Sequence, residues 1–361
     1  MNIIYSYCGS MQSPISTFLP SKMTRLTRVT IFALTVFCAG RYGIAQNTPL
    51  ISGGAGFFTS TKGGNTTYMP IIEPLIDIPI GSRFLIESRA ALGDTFSPNG
   101  MGYSHSRFIA LTYLQGDYFL SPHVTAIAGS FLIPFNTFND RLSPIWISNF
   151  QDGPIITGIG VMTGTGVGGM LSGSAIAHNK YSISYNAWFS TSSGNMQFDS
   201  TRAFGGRSSL YLPEKHLEIG LSYDRQLQGT RENFYGAHLW WEPANTAFRL
   251  RSEFARGHHA QGYWVEADYR LQRFGGLDSW IGRFEPLFRM QQTFRRDTIV
   301  SDNVPLVNTQ RADFGLDYNL PHNTRILTSY SRQFSSSGNE NIWETGIVYR
   351  FLFPAWKGKS E

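Results

Sequence analysis

The residues best suited to acid–base or metal chemistry in this chain are five histidines, His105, His178, His238, His258 and His259. A histidine becomes a catalyst only with a nucleophile and an orienting group held in fixed geometry. The chain has no Gly-x-Ser-x-Gly elbow to supply that nucleophile. His258-His259 falls in a short connection with no third ligand nearby, so a solvated loop pair describes it better than a metal site. The glycine run Gly164 to Gly169 is not followed by Lys-Ser or Lys-Thr, which a phosphate loop needs. These patterns predict no enzyme, no cofactor and no bound metal. A different chemistry is better supported. Arg249, Arg251, Arg270, Arg289, Arg295, Arg311, Arg325 and Arg350 share one side of an alternating pattern with Glu253, Glu266, Asp268, Asp313, Asp317 and Glu344. Lining a wet passage, such basic residues would steer anions. On neighbouring strands the same residues would pair across the ladder and stiffen a wall, and the near balance of signs favours pairing for most of them.

One long connection, 134–167, has the composition of a functional loop. It carries Phe135, Phe138, Trp146 and Phe150, then a glycine-rich run from Gly153 to Gly166. Four aromatics need a surface to bury against, and loops this long are either functional or disordered. Folded inward against the wall of a barrel, it would narrow the passage. Asp140, Arg141, Trp146 and Phe150 are then the constriction residues.

The elements that must hold these residues are strands. From Gln46 onward no amphipathic helix is apparent, and alternation of period two recurs over runs of about ten residues. His216 to Arg225 sets Leu217, Ile219, Leu221 and Tyr223 opposite Glu218, Gly220, Ser222 and Asp224. Tyr263 to Gln272, Arg311 to Tyr318 and Trp343 to Phe353 repeat the pattern. Sixteen strands are predicted, at 50–58, 69–78, 82–93, 106–119, 122–133, 168–178, 180–190, 203–212, 215–226, 231–242, 246–256, 261–272, 285–296, 308–319, 322–333 and 341–353. Connections after even-numbered strands are mostly tight, such as Leu120-Ser121 and Leu320-Pro321. Those after odd-numbered strands, such as 59–68, 94–105, 191–202, 297–307 and 334–340, are longer and polar. That phase matches the short turns and long loops of a transmembrane antiparallel β-barrel, and a soluble sandwich has no reason to keep it. A lipid-spanning sheet must also close to satisfy its edges. A count of 18 strands stays open if 273–284 or 134–167 hides a hairpin. On this arrangement Ile219→Arg faces lipid and is costly, whereas Ser222→Arg faces the lumen and is mild.

The bulk composition agrees. Aromatics at 14%, 37 glycines and only 15% charged residues suit a sheet with one face in lipid and one in water. Val29 to Gly40 is an apolar run too short to span a bilayer, preceded by Arg25 and Arg28 and followed by Gly43-Ile44-Ala45. Residues 1–45 therefore read as a cleavable signal peptide, with the true start at Met23. Both cysteines, Cys8 and Cys38, precede the cleavage site, so residues 46–361, a single barrel, have neither disulfide framework nor thiol nucleophile. The signal also takes Lys22, Arg25, Arg28 and Arg41 with it. Of 30 basic residues 26 remain against 25 acidic ones, and no nucleic-acid partner is implied.

A resemblance follows from three stretches. Asp117-Tyr118-Phe119-Leu120-Ser121-Pro122-His123, continuing to Pro134-Phe135, is similar to the bacterial phosphate-selective porin group, in which a turn leads to a strand ending near a Pro-Phe pair. Leu320-Pro321-His322-Asn323-Thr324-Arg325 with Ser329-Tyr330-Ser331-Arg332 resembles that group's penultimate hairpin, and Gly262-Tyr263-Trp264 is a further echo. The resemblance touches about a third of the exported chain and supports a porin more than it supports phosphate, because 134–167 contains Arg141 and no lysine. It implies an outer-membrane porin in contact with outer-membrane lipid, passing small hydrophilic solutes or anions by passive diffusion with a slight anion preference. It also implies a homotrimer, on which no segment reports. The competing class is a non-conducting barrel used as an adhesion or assembly scaffold. The chain departs from the porin pattern at its end, where Pro354 to Glu361 continues past Phe351 and Phe353.

Overall fold

Sixteen strands form, one for each predicted run. They are β1 (Leu50–Lys62), β2 (Asn65–Ile80), β3 (Phe84–Pro98), β4 (Tyr103–Ser121), β5 (Val124–Leu132), β6 (Thr165–Ala177), β7 (Ser182–Thr191) and β8 (Ala203–Leu212). The second half comprises β9 (Leu217–Gln226), β10 (Asn233–Trp241), β11 (Phe248–Arg256), β12 (Ala260–Tyr269), β13 (Phe284–Arg295), β14 (Thr309–Leu320), β15 (Thr324–Ser335) and β16 (Glu340–Pro354). The computed structural model describes residues 48–355 apart from 101, 161, 163, 196, 230, 277–278 and 298–301. Cys8, Cys38 and the expected signal peptide lie outside the described residues. Each strand pairs antiparallel with its sequence neighbours, and β1 closes on β16 from Leu50↔Pro354 to Lys62↔Ile342, so the sheet is a closed barrel with no free edge. An 18-strand count needs another hairpin, and none is found among the described residues. The 134–167 stretch contributes one wide helical turn, Phe138–Leu142. The long connection after β12 is two short 3-10 turns, Leu271–Phe274 and Ile281–Arg283.

Three connections expected to be long loops are instead strand. The hairpin after β1 turns on Gly63-Gly64, both at positive φ, where glycine meets no steric penalty. β3 continues to Pro98 before β4 begins at Tyr103, and β15 reaches Ser335 before β16 begins at Glu340. These extensions carry polar residues on both faces, so hydropathy alternation fades while the hydrogen-bond ladder runs on. Strands of 13, 16, 15 and 19 residues at β1 to β4 exceed the roughly 9–11 residues that a bilayer needs.

The burial pattern is inverted relative to a soluble sandwich. Leu221 is 67% exposed and Ile109 65%, whereas Glu253 is 1% and Arg289 2% exposed. β12 alternates strictly, with Gly262, Trp264, Glu266 and Asp268 buried and Tyr263, Val265 and Ala267 half-buried on the outer face. One irregularity sets the faces of β4. Arg89 pairs with Tyr113 but Ala90 pairs with Leu111, leaving Thr112 as a bulged extra residue. The bulge lets Tyr113 face inward while Ile109 still faces outward.

Candidate functional site

The inward faces of the strands meet the connection between β5 and β6, which Val304 of the β13–β14 connection joins in the same core. Its apolar side chains are buried: Phe135, Phe138, Leu142, Ile156, Ile159 and Met162 form a core with Phe131, Trp188, Phe234 and Trp264 of the wall, and Phe150 is buried apart from it. Polar contacts fix its path around the lumen. Glu253 on β11 is the densest anchor. Its Oε1 accepts from the Thr137 N–H at 2.6 Å, the Thr137 hydroxyl at 2.7 Å and the Phe138 N–H at 2.8 Å. Its Oε2 accepts from Trp264 Nε1 at 3.2 Å. Asn136, at positive φ, donates its N–H to Ser222 Oγ and its side-chain amide to the Phe254 carbonyl. The chain then crosses to the opposite wall. Arg89 on β3 donates to Ser143 Oγ, Glu73 on β2 accepts the Ile145 N–H, and Trp146 lies against Gly54 on β1. Gly54 is required there, because a Cβ would lie 2.9 Å from the indole. Returning along β12 to β15, Asn149 donates to Glu266, Ile155 N–H to Gln291, and Asp152 accepts from Arg289 and Arg311. Arg325 donates to the Ser148 carbonyl.

The four residues expected at a constriction all lie on this segment. Asp140 accepts two bonds from Arg207 on β8, at 3.1 and 2.8 Å. Arg141 pairs with Glu218 on β9 at 2.8 Å. Trp146 packs with Ile145 near Phe58, Leu327 and Val348. Phe150 is buried beneath the Arg289 guanidinium, 4.4 Å from its ring centre.

The twelve residues expected to line the lumen all lie on inward-facing positions of β11 to β16 or immediately beyond a strand end, but in several environments. Arg251, Glu253, Glu266, Asp268, Arg289, Arg311 and Asp313 are buried. All but Glu253 form a ladder of ion pairs, including Arg251 with Glu266, Arg289 with Asp313 at 2.8 Å, and Arg311 with Asp313 at 2.6 Å. In so little water an unpaired charge is very costly, so each partner is needed for the other. Arg295 stands apart at the loop end, paired with Asp302 at 2.6 Å. Arg249, Arg270, Arg325 and Arg350 sit at the opposite, turn end. With Arg283 they line a chamber of about 680 Å³ in which Glu285 is the only carboxylate among the described lining residues. Glu285 is shared by Arg249 at 3.1 Å and Arg270 at 3.7 Å.

A second opening lies between the loop and the wall of β3 to β8. It is a cavity of about 350 Å³ lined by Glu87, Arg89, Tyr113, Gln115, Asp140, Arg141, Ser172, Ser184, Asn186 and Arg207. Only Asp140 and Arg141 were anticipated. The other residues are marked in the sequence by alternation in β3, β4 and β8, but the bulge at Thr112 interrupts it in β4. Ser222 also differs from expectation. It faces inward, but it is buried and accepts the Asn136 N–H, so an arginine there would displace the loop rather than enter water.

The histidines are brought together with other polar groups without forming a catalytic relay. Ser209 Oγ and Glu218 Oε1 both meet the same nitrogen of His238, Nε2, at 3.2 and 3.3 Å. A relay needs the acid on one ring nitrogen and the hydroxyl on the other. His259 lies between Glu232 and Asp297. Among the described residues no group of three or more His, Cys, Asp or Glu could hold a metal ion.

No protein-family profile and no curated protein matches the chain. Solved structures do. OmpF of Salmonella typhi, in complex with daunomycin, is 12% identical with a TM-score of 0.58, covering 84% of this chain and 98% of that one. A loop-L8 deletion mutant of OmpT, an outer-membrane protein of Vibrio cholerae, is 7% identical with a TM-score of 0.56, covering 84% and 99%. The anion-selective porin from Comamonas acidovorans is 13% identical with a TM-score of 0.53, covering 84% and 99%. The fold of this chain is thus the sixteen-stranded antiparallel barrel that outer-membrane porins share.

Proposed function

We propose that the chain is an outer-membrane pore through which small hydrophilic solutes diffuse passively, with a slight preference for anions. The observation that carries this reading is the inversion of burial: apolar side chains ring the outside and charged ones the inside of a closed sheet. Only a hydrocarbon surround makes that arrangement stable. The side cavity beside Arg89, Arg141 and Arg207 and the arginine-rich chamber at the turn end support a route for solutes and the sign of its preference. Loop 134–167 is the constriction, and Asp140 and Arg141 are its charged edge. A field focused in a narrow low-dielectric gap steers ions more strongly than the same charges in the open. The resemblance to phosphate-selective porins contributes the class of transporter but not its solute. The same reading takes residues 1–45 as a cleaved signal and the assembly as a homotrimer.

One observation favours the scaffold alternative. The loop touches the wall on both sides of the lumen, as a plug would. Single-channel recording of the purified protein in planar bilayers separates the two. A pore gives ohmic steps, and Arg141→Glu, placed beside Glu218, moves the reversal potential toward cation selectivity. Absence of conductance from folded barrels would establish the scaffold reading instead.

A further inference from the structure

The outer face carries a basic concavity at the loop end of β9 to β13 that the pore does not use. Register places its residues. Tyr235 pairs with Arg256 across β10 and β11, Arg256 with Gln261 on β12, and Gln261 with Phe294 on β13. Tyr235, Phe254 and Phe294 are exposed on the outer face, while their neighbours Phe234, Ala255 and Thr293 are buried inward. Arg256, two residues beyond Phe254, and Arg296, two beyond Phe294, therefore stand on the outer face just above an aromatic band. Arg296 donates to Gln261 at 2.9 Å. Tyr235, Phe254, Arg256 and Arg296 line one hollow of about 950 Å³ with Arg231, Glu232 and His258.

Three guanidinium groups in this hollow face one lining carboxylate, Glu232. No carboxylate among the described residues pairs with Arg231, Arg256 or Arg296. The two nearest acids, Glu232 and Asp297, are both engaged by His259, at 2.9 and 3.2 Å. Two other rim cations are paired with acids: Lys62 with Glu340 at 2.7 Å, and Arg107 with Asp94 at 3.9 Å. Guanidinium groups suit phosphate oxygens, which they grip in pairs. Tyrosine and phenylalanine below them offer apolar area to acyl chains at headgroup depth.

We propose that this hollow docks the phosphate headgroup of an anionic lipid in the outer leaflet, with its acyl chains along Tyr235 and Phe254. The proposal rests on the reading that the barrel spans the outer membrane with its loop end outward. Purified full-length protein would be offered phosphatidic acid, phosphatidylcholine or inorganic phosphate, and retained adducts counted by native mass spectrometry. Phosphatidic acid should be retained in preference to phosphatidylcholine. Each basic residue near an anionic headgroup contributes enough that Arg256→Gln with Arg296→Gln should lower retention roughly tenfold. Lys62→Gln with Arg107→Gln, the same loss of two charges at balanced sites, should leave it unchanged. Equal retention by the double variant and the parent would overturn the proposal, as would equal binding of phosphatidylcholine. Complete displacement of phosphatidic acid by an equal concentration of inorganic phosphate would also overturn it, making this a free-anion site. Failure of the membrane reading has its own signature: vesicles of brominated phosphatidylcholine would then leave the fluorescence of outward-facing Trp343 unquenched.

Discussion

The two walls of the lumen are built from the same alternation and end in different states. Along β11 to β14 most inward residues are buried, as in β12 and in β13, where Glu285, Leu287, Arg289, Gln291 and Thr293 all are. Along β2 no residue is fully buried, and β6 has only Gly166 in that state. The difference is the loop. Where it packs, the wall becomes an interior held by ion pairs. Where it stands off, Ser172, Ser184, Asn186 and Gln115 face open space. An inward-pointing side chain is therefore not in itself a pore-lining one, and the charge that solutes meet is set by the uncovered wall and the two ends.

This contrast can be broken in three ways. Removing residues 140–160 takes away the cover itself. It should raise single-channel conductance severalfold and expose the arginine ladder of β12 to β14 to solvent, which cysteine labelling at Gln291→Cys would register. Unchanged conductance from a folded deletion variant would mean that the loop does not restrict the passage. Glu253→Ala attacks the anchor while leaving the loop in place. Four donors lose their acceptor, each costing about 1–3 kcal/mol when buried, so a loss on the order of 4 kcal/mol or more should appear in urea unfolding from liposomes. Equal midpoints for variant and parent would show that the anchor contributes nothing. The smallest effect sharpens the distinction between faces. Ile219→Arg, on the outer face, should cost about 2–4 kcal/mol near the bilayer midplane. Ser172→Arg, on the uncovered wall, should leave stability unchanged and only reduce conductance. Equal destabilisation by both would contradict the assignment of β6 to the open side.

Much of this was legible along the chain. All sixteen strands show in the alternation because a face pressed against lipid must stay apolar at every second position, as Leu217, Ile219, Leu221 and Tyr223 do. The extra lengths of β1, β2, β3 and β4 do not show, since outside the hydrocarbon neither face needs apolar residues. The loop could be picked out by its aromatics, because Phe135 and Phe150 require burial wherever the chain goes. Its destination could not. Thr137 meets Glu253 across 116 positions, and Ser148 meets Arg325 across 177, distances at which local pattern carries no pairing information. The same lack of cover information left Glu87, Arg89, Tyr113 and Arg207 unremarked while the β11 to β16 arginines stood out.

The long reach of that loop also dictates an order of assembly. It leaves the sheet after β5, yet its firmest holds are on β8, β9, β11 and β12 to β15, which emerge from synthesis later. Contacts so remote in sequence form slowly, because chain entropy is lost before they can compensate. The hairpins between sequence neighbours therefore form first, and the remote contacts follow, both the loop's holds and the β1–β16 seam, whose partners lie farther apart still. Maturation of this molecule is then staged, with neighbouring hairpins first and the closing seam and the loop's inner holds after them.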